Sequence, residues 1–414
     1  MTVWKRTYDG KNLHLMPIPG LRPFHGVLMG AVPPDVVENV RTAAEAPLVG
    51  VTTDGTAIPG LYESTKAHDE VAALVEVANA YLACVDQLDY RDYTEQPFDS
   101  WHRRSWFNAA PLYLPAGVLL DDMRPEQQAA ALEVVAKSFS TKGFELIRKS
   151  MLVNEALGEL FNFYTDTFRE YAVWFTIFGT PSTDQPWGWQ LMGTHIDINC
   201  TVVDGTIMVE PLFLGAEVCE IKEGRHQGLT VYSEERDKAI ALGATLSEEQ
   251  RAAAILYPSM LSQDLPPEIG GPFDGRHIGG AGRDNEVVPY AGIKVTDLTE
   301  SQRDLLVELI DVYLERLIES RRVHRREEIL AHLDETHVAW IGDPETAPFY
   351  YRIHSPTLWI EFDHHPGLMM GDDMEAIQDH VHTIMRAPNG GDYGHALIGH
   401  HHHHGHDHDH PHSH

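Results

Sequence analysis

Apolar residues return at helical spacing in several blocks of this chain. In "STKAHDEVAALVEVANAYLACVDQL" (64–88), Val71, Leu74, Val75, Val77 and Leu82 fall every three to four positions, which predicts a helix. The same reasoning predicts helices in "PEQQAAALEVVAKSF" (125–139), "GFELIRKSMLVNEALGELFNFY" (143–164), "EEQRAAAILYPSML" (248–261) and "ESQRDLLVELIDVYLERLIESRR" (300–322). Elsewhere the period drops to two. In "THIDINCTV", Ile196, Ile198, Cys200 and Val202 share one strand face, and His195, Asp197, Asn199 and Thr201 share the other. "VDGT" then reads as a two-residue hairpin turn. In "TLWIEFDHH" the same rule groups Leu358, Ile360, Phe362 and His364 against Trp359, Glu361, Asp363 and His365. Residues 1–60, rich in Pro and Gly, read as an irregular wrap with one short helix after Pro34, and the Gly/Pro-rich stretch 264–292 reads as loop.

Two echoes run through this pattern. "LSEEQRAAAIL" at 246 and "LTESQRDLLVEL" at 298 share one form, with Ser247 three residues before Gln250 and Thr299 three before Gln302. That is the spacing of a capping box. A longer echo relates "VWFTIFGTPSTDQPWGWQLMGTHIDIN" (173–199) to "VAWIGDPETAPFYYRIHSPTLWIEF" (338–362), each a strand, a G-x-P turn, a proline and a second strand behind a long helix. These features predict an α+β fold. It is read as a single large domain over 61–397, with a duplicated helix-strand-strand unit at about 125–215 and 299–370 around a mixed or antiparallel sheet.

Charge and cysteine content narrow the chemistry. Sixty-two Asp plus Glu against 31 Lys plus Arg give a net charge of -31, which repels nucleic acid and leaves metal ions and small molecules as expected partners. No run of about 18 apolar residues and no apolar leader at the start imply neither membrane span nor signal peptide, and hence a cytoplasmic protein. The three cysteines, Cys84, Cys200 and Cys219, are too scattered for a thiolate metal site or a disulfide framework. Sequence motifs for P-loop, HExxH zinc or GxSxG hydrolase chemistry are absent.

Histidine and carboxylate therefore carry the candidate chemistry. His195, Asp197 and Asn199 on one strand, and Glu361, Asp363 and His365 on the other, would meet if the two echo units face each other. Such a set suits zinc, iron or manganese. A solvated sheet face would show the same alternation. In "DHVHTIMRAPNGGDYG", His380 and His382 share a face of a strand with Arg386; in a helix, His382 would instead meet Arg386. The expected metal ligands are His195, His365, His382, His380 and Glu361. Glu361, Asp363 and Asp197 are the candidate acid-base groups, and Arg386, with Tyr393, or Arg104 the candidate anchors for an anionic substrate. Arg104, Trp106 and Asn108 alternate, as in a ligand pocket or a buried network.

The segment 398–414 reads as a disordered His-rich tail, with ten histidines from 400 to 414, able to bind nickel, zinc, copper or cobalt.

In order along the chain, "DGTAIPGLY", Arg104-x-Trp106-x-Asn108, "SFSTKGFE", "IFGTPSTDQPWGWQLMGTHIDIN", "PLFLGAE", "VVPYAGI", "LTESQRDLL", "FYYRIHSPTLWIEFDHH" and "HVHTIMRAPNGGDYG" resemble a bacterial family catalogued as domain of unknown function number thirty-five hundred. The resemblance covers roughly 50–395 and implies one continuous domain of catalytic size. Family members often carry two histidines where this chain has Thr194-His195. The expectation from the residues is a metal-dependent enzyme acting on a small organic molecule, with hydrolase or lyase chemistry ahead of oxygenase chemistry. The alternative is a non-catalytic metal-buffering protein that works through its tail.

Overall fold

The computed structural model describes residues 3–8, 13–18, 41–85, 94–108, 116–161, 168–266, 269, 277–367 and 375–404. In chain order, the strands are β1 (Val3–Tyr8), β2 (Leu13–Ile18), β3 (Glu95–Gln96), β4 (Val118–Leu119), β5 (Val173–Phe178), β6 (Trp187–Gly193), β7 (Ile196–Val203), β8 (Thr206–Met208), β9 (Leu212–Ala216), β10 (Ile255–Tyr257), β11 (Ile293–Lys294), β12 (His337–Ile341), β13 (Tyr350–His354), β14 (Trp359–Pro366) and β15 (Ala376–Arg386). The helices are α1 (His68–Val85), α2 (Pro125–Ser138), α3 (Thr141–Phe161), α4 (Ser233–Gly243), α5 (Glu248–Ala254), α6 (Glu300–Leu314), α7 (Glu319–Ala331) and α8 (His395–His404). Together they make an α+β fold.

One large mixed sheet runs β10-β12-β13-β14-β15-β9-β7-β6-β5-β3. β10 pairs parallel and β11 antiparallel with β12; β3 pairs parallel and β4 antiparallel with β5. The remaining pairs along the path are antiparallel, and β9 and β15 meet at the centre, where His382 lies opposite Gly215. The Asp204-Gly205 turn joins β7 to β8 with both residues at positive φ, as expected of a two-residue hairpin.

Alternation sorts this sheet cleanly. Phe175, Trp189, Ile198, Leu214, Val381, Phe362 and Tyr351 belong to a main apolar core shared with residues of α1, α2, α3, α4, α6 and α7. The opposite face carries Glu361, Asp363, His365, His380, His382 and Arg386, and it too is buried. A solvated polar face, the plainer reading of the alternation, is therefore not what forms. Polar groups at that depth need partners, because each one left without a hydrogen bond costs on the order of 1–3 kcal/mol.

Several elements differ from the sequence expectation. Residues 3–8 and 13–18 pair as an antiparallel hairpin instead of wrapping irregularly. The short helix expected after Pro34 begins outside the described residues, although 41–45 are helical. The helix expected over 248–261 stops at Ala254, where Ile255–Tyr257 extends to pair with β12. The helix expected over 300–322 breaks between Leu314 and Glu319: Leu317 bridges to Phe139, and the buried Arg316 guanidinium is held by Glu235 on α4, 2.5 Å away. Helix α4 was not anticipated. Both capping boxes form, and Gln250 and Gln302 also bond reciprocally at 2.9 Å, so the shorter echo ties two helix starts together. Residues 398–404, expected to be disordered, continue helix α8, while 405–414 lie outside the described residues. The three cysteines are free. No helix among the described residues is long and apolar enough to cross a membrane.

Candidate metal centre

The polar face is richest in histidine where β14, β15 and β9 adjoin. His380 and His382 alternate on β15, and His382 lies across from Asp363 on β14. Opposite His382 on the other side is Gly215. A Cβ on Gly215 would stand 2.6 Å from the Val381 carbonyl, 2.9 Å from His382 Cδ2 and 3.3 Å from His195 Cδ2, so only glycine leaves room for both rings.

His195 enters from the other half of the sheet. Alternation places it on the strand with Asp197, but it sits in the two-residue turn before β7, at φ +61°. A non-glycine residue costs on the order of 1 kcal/mol in that region. Three bonds hold it there: its backbone N–H donates to Asn108 Oδ1 at 3.1 Å and to the Asn108 carbonyl at 3.3 Å, and its own carbonyl accepts from Gly215 N–H at 2.8 Å.

These placements bring three ring nitrogens to one point. His195 Nε2 is 3.1 Å from His380 Nε2, which is 3.0 Å from His382 Nε2. The carbonyl of Pro366, 2.7 Å from His380 Nδ1, can only accept a hydrogen bond, so that nitrogen carries the proton and Nε2 presents a lone pair inward. Asn108 Nδ2 lies 3.4 Å from His382 Nε2. Burial drives His195 down to about 3, aided by the charge His365 would carry. Burial, then His365 and neighbouring histidines, hold His380 and His382 far below the usual imidazole range. All three rings are thus neutral at pH 7, the form that binds a metal.

A second group adjoins the first. His277 Nε2 is 2.8 Å from His382 Nδ1 and 3.9 Å from Asp363 Oδ2, and His365 Nδ1 is 2.9 Å from Asp363 Oδ2. Two buried sets have the ligand atoms to hold an ion: His195, His380 and His382, and His277, Asp363, His365 and His382.

The other expected site residues are placed elsewhere. Glu361 faces the same way as Asp363, but its carboxylate accepts four bonds: Ile278 N–H at 2.7 Å and Tyr350 O–H at 2.7 Å on Oε1, Gly279 N–H at 2.8 Å and Trp359 Nε1–H at 2.9 Å on Oε2. It belongs to neither set of potential ligands and instead anchors the loop that carries His277. Arg386 donates to Asp284 and Asp392 and to the carbonyls of Gly279 and Gly280. Arg104 donates to Asp284 at 3.0 Å and to the carbonyls of Ala43 and Ala46. Tyr393 O–H donates to Asp284 and accepts from Trp106 Nε1–H, so the Arg104–Trp106–Asn108 stretch feeds a buried network at one end and the histidines at the other. Asp197 is buried on β7, across from Phe213, and is in neither set. His364 faces the apolar side, its ring against Phe349 and Phe362.

Sequence reasoning missed His277. It lies in "DGRHIGG", in a glycine-rich loop with no period to give it a face. Its pairing with His382 depends on a contact between residues 105 positions apart.

Five imidazoles and one carboxylate, with no thiolate among them, could hold a metal ion. No curated protein and no solved structure is similar to this chain. Residues 67–395, which include every histidine of the two sets, match the family described as Protein of unknown function (DUF3500), and the chain belongs to that family.

Proposed function

We propose that this protein is a metal-dependent enzyme acting on a small organic molecule, with His195, His380 and His382 holding a divalent ion through their Nε2 atoms. The observation that carries the reading is the convergence of those three nitrogens in a buried site, with His380 Nε2 3.1 Å from His195 Nε2 and 3.0 Å from His382 Nε2, and all three within 4.8 Å of one another. Ligands each about 2.0–2.1 Å from one ion stand roughly 3 Å from each other. An ion held by three imidazoles keeps open positions, where it polarises a substrate and makes bound water acidic. A redox-inert ion suffices for that, which favours hydrolase or lyase chemistry over oxygenation. An anionic substrate anchored by Arg104 or Arg386 is not carried forward, because both guanidinium groups are engaged internally.

The duplicated architecture is proposed alongside. It is supported by the shared outer-edge pattern of β12 and β5 and by the two helix pairs, α2–α3 and α6–α7, that precede those strands. In that arrangement the centre forms where β9, at the end of the first unit, adjoins β15, the strand that follows the second.

The test is metal retained after dialysis, by elemental analysis, in the full chain with the histidines from 400 to 414 replaced by serine. Bound metal that survives this change and disappears in His380→Ala, together with turnover in a panel of ester, amide and carbon–oxygen lyase substrates, supports the reading. Metal lost with the tail histidines would leave a metal-buffering protein instead.

A further inference from the structure

The two potential ligand sets share one residue, His382, and they meet it on opposite sides of its ring. Nε2 lies 3.0 Å from His380 Nε2, which in turn meets His195 Nε2 at 3.1 Å; Nδ1 faces His277 at 2.8 Å. We propose that the centre binds two divalent ions, with His382 as a bridging imidazolate, one ion completed by His195 and His380 and the other by His277, Asp363 and His365. This rests on the reading of the first set as a metal site.

Three observations carry it beyond a hydrogen bond that merely orients His382. The second set has four potential ligand atoms within 4.8 Å of one another, all buried, and one of them is a carboxylate, Asp363. The separations of 2.8, 2.9 and 3.9 Å within it bracket the roughly 3 Å expected between ligands on one ion. The position of His277 is also fixed by something other than His382: the next two backbone N–H groups, of Ile278 and Gly279, are bonded to the Glu361 carboxylate. The loop is thus built to bring this imidazole to β14 and β15, and Glu361, itself outside both ligand sets, is what holds it there.

Binding of the second ion requires both ring nitrogens of His382 to be free of protons. The one N–H proton of the neutral ring leaves to solvent, and no electron moves. Bridged through a ring, the ions stand about 6 Å apart, farther than the 3.5–4 Å of oxygen-bridged pairs. Two divalent ions against one carboxylate and one imidazolate leave the pocket positive, which selects an anionic group, or hydroxide, at the open positions.

The experiment titrates the metal-free full chain, tail histidines replaced by serine, with zinc(II), and in parallel with copper(II) followed by electron paramagnetic resonance. Two equivalents of zinc are expected in the parent and one in both His277→Ala and His277→Gln. The copper signal should rise to one equivalent and then fall by more than half as the second is added, since spins on the two sides of an imidazolate couple. One equivalent in the parent, unchanged in the His277 variants, overturns the second ion and leaves the proposed function standing. Two equivalents with additive copper signals overturn the bridge. No retained metal defeats both readings. The copper measurement on the parent decides the question even if the His277 variants fail to fold.

Discussion

Replacing Glu361 by glutamine separates a metal-binding or acid-base role for this residue from the structural one that its contacts describe. The carboxylate accepts four donors, two on each oxygen. An amide nitrogen placed at Oε2 would confront two N–H groups, of Gly279 and Trp359; placed at Oε1 it confronts only Ile278 N–H, because the Tyr350 hydroxyl can turn and accept. The second orientation wins, and it leaves one partly buried backbone donor unmatched, at a cost of about 1–3 kcal/mol. The two bonds kept on the remaining oxygen lose their charge assistance, roughly 1 kcal/mol each. The amide is easier to bury than an ionised carboxylate, which offsets part of this. The net expectation is a loss of roughly 2–4 kcal/mol in the urea stability of the metal-free protein. The ion at His195, His380 and His382 should stay bound. A stability change under about 0.5 kcal/mol, accompanied by loss of that ion, would refute the argument and make Glu361 a ligand.

Three other perturbations read different parts of the structure. Gly215→Ala forces a Cβ into the space between the Val381 carbonyl and the His382 and His195 rings, so zinc retention should fall and stability drop by about 1–3 kcal/mol; unchanged zinc affinity would show that the rings have slack. His195→Asn replaces a strained residue by one that tolerates positive φ, so the metal-free protein should be no less stable than the parent while the metal is lost; a large stability loss without metal would mean that the ring serves packing. Glu328 is buried, which raises its pKa, but Arg321, His324 and Arg325 outweigh that and bring it from 4.5 down to about 2. Because the folded value is the depressed one, its contribution of roughly 3 kcal/mol is complete above pH 4.5 and lost as pH falls toward 2. Urea midpoints between pH 5 and 3 should therefore fall less steeply in Glu328→Gln than in the parent, and parallel curves would contradict the assignment.

How much of the centre could be read in advance depended on which residues lie in regular strands. In "TLWIEFDHH" a period of two separates His365 from His364, and the structure keeps them apart, His365 beside Asp363 and His364 against Phe349 and Phe362. "HVH" likewise places His380 and His382 on one face, and their Nε2 atoms meet. Alternation stops at a turn, so His195, one residue before β7, reaches the site through a positive-φ conformation that the pattern did not show. It says nothing within a loop, which is why His277 was invisible. Nor does a face assignment reveal what a side chain is bonded to: Glu361 shares a face with Asp363, and only the approach of Ile278 and Gly279 shows that its lone pairs are already taken.

The helix break at 315–318 shows the same limit in the fold. "LLVELIDVYLERLIESRR" keeps its apolar stripe past the end of α6 through Leu317 and Ile318, with no Gly or Pro to stop it, so local pattern favours one helix. What divides it is the long-range pairing of Leu317 with Phe139 and of Arg316 with Glu235. A buried arginine with its partner removed is costly, on the order of 3–5 kcal/mol, more than the helical bonds given up over three or four residues. The same break at 139–140 separates α2 from α3, and the two breaks are bonded to each other, Ser140 N–H donating to the Arg316 carbonyl at 3.0 Å. The helices are thus cut to lengths that let each pair lie across the apolar face of the sheet. With that face covered by helices, the histidines occupy the other one, where irregular chain such as 277–292 supplies the specific polar partners that a helical layer, with its backbone groups bonded internally, could not.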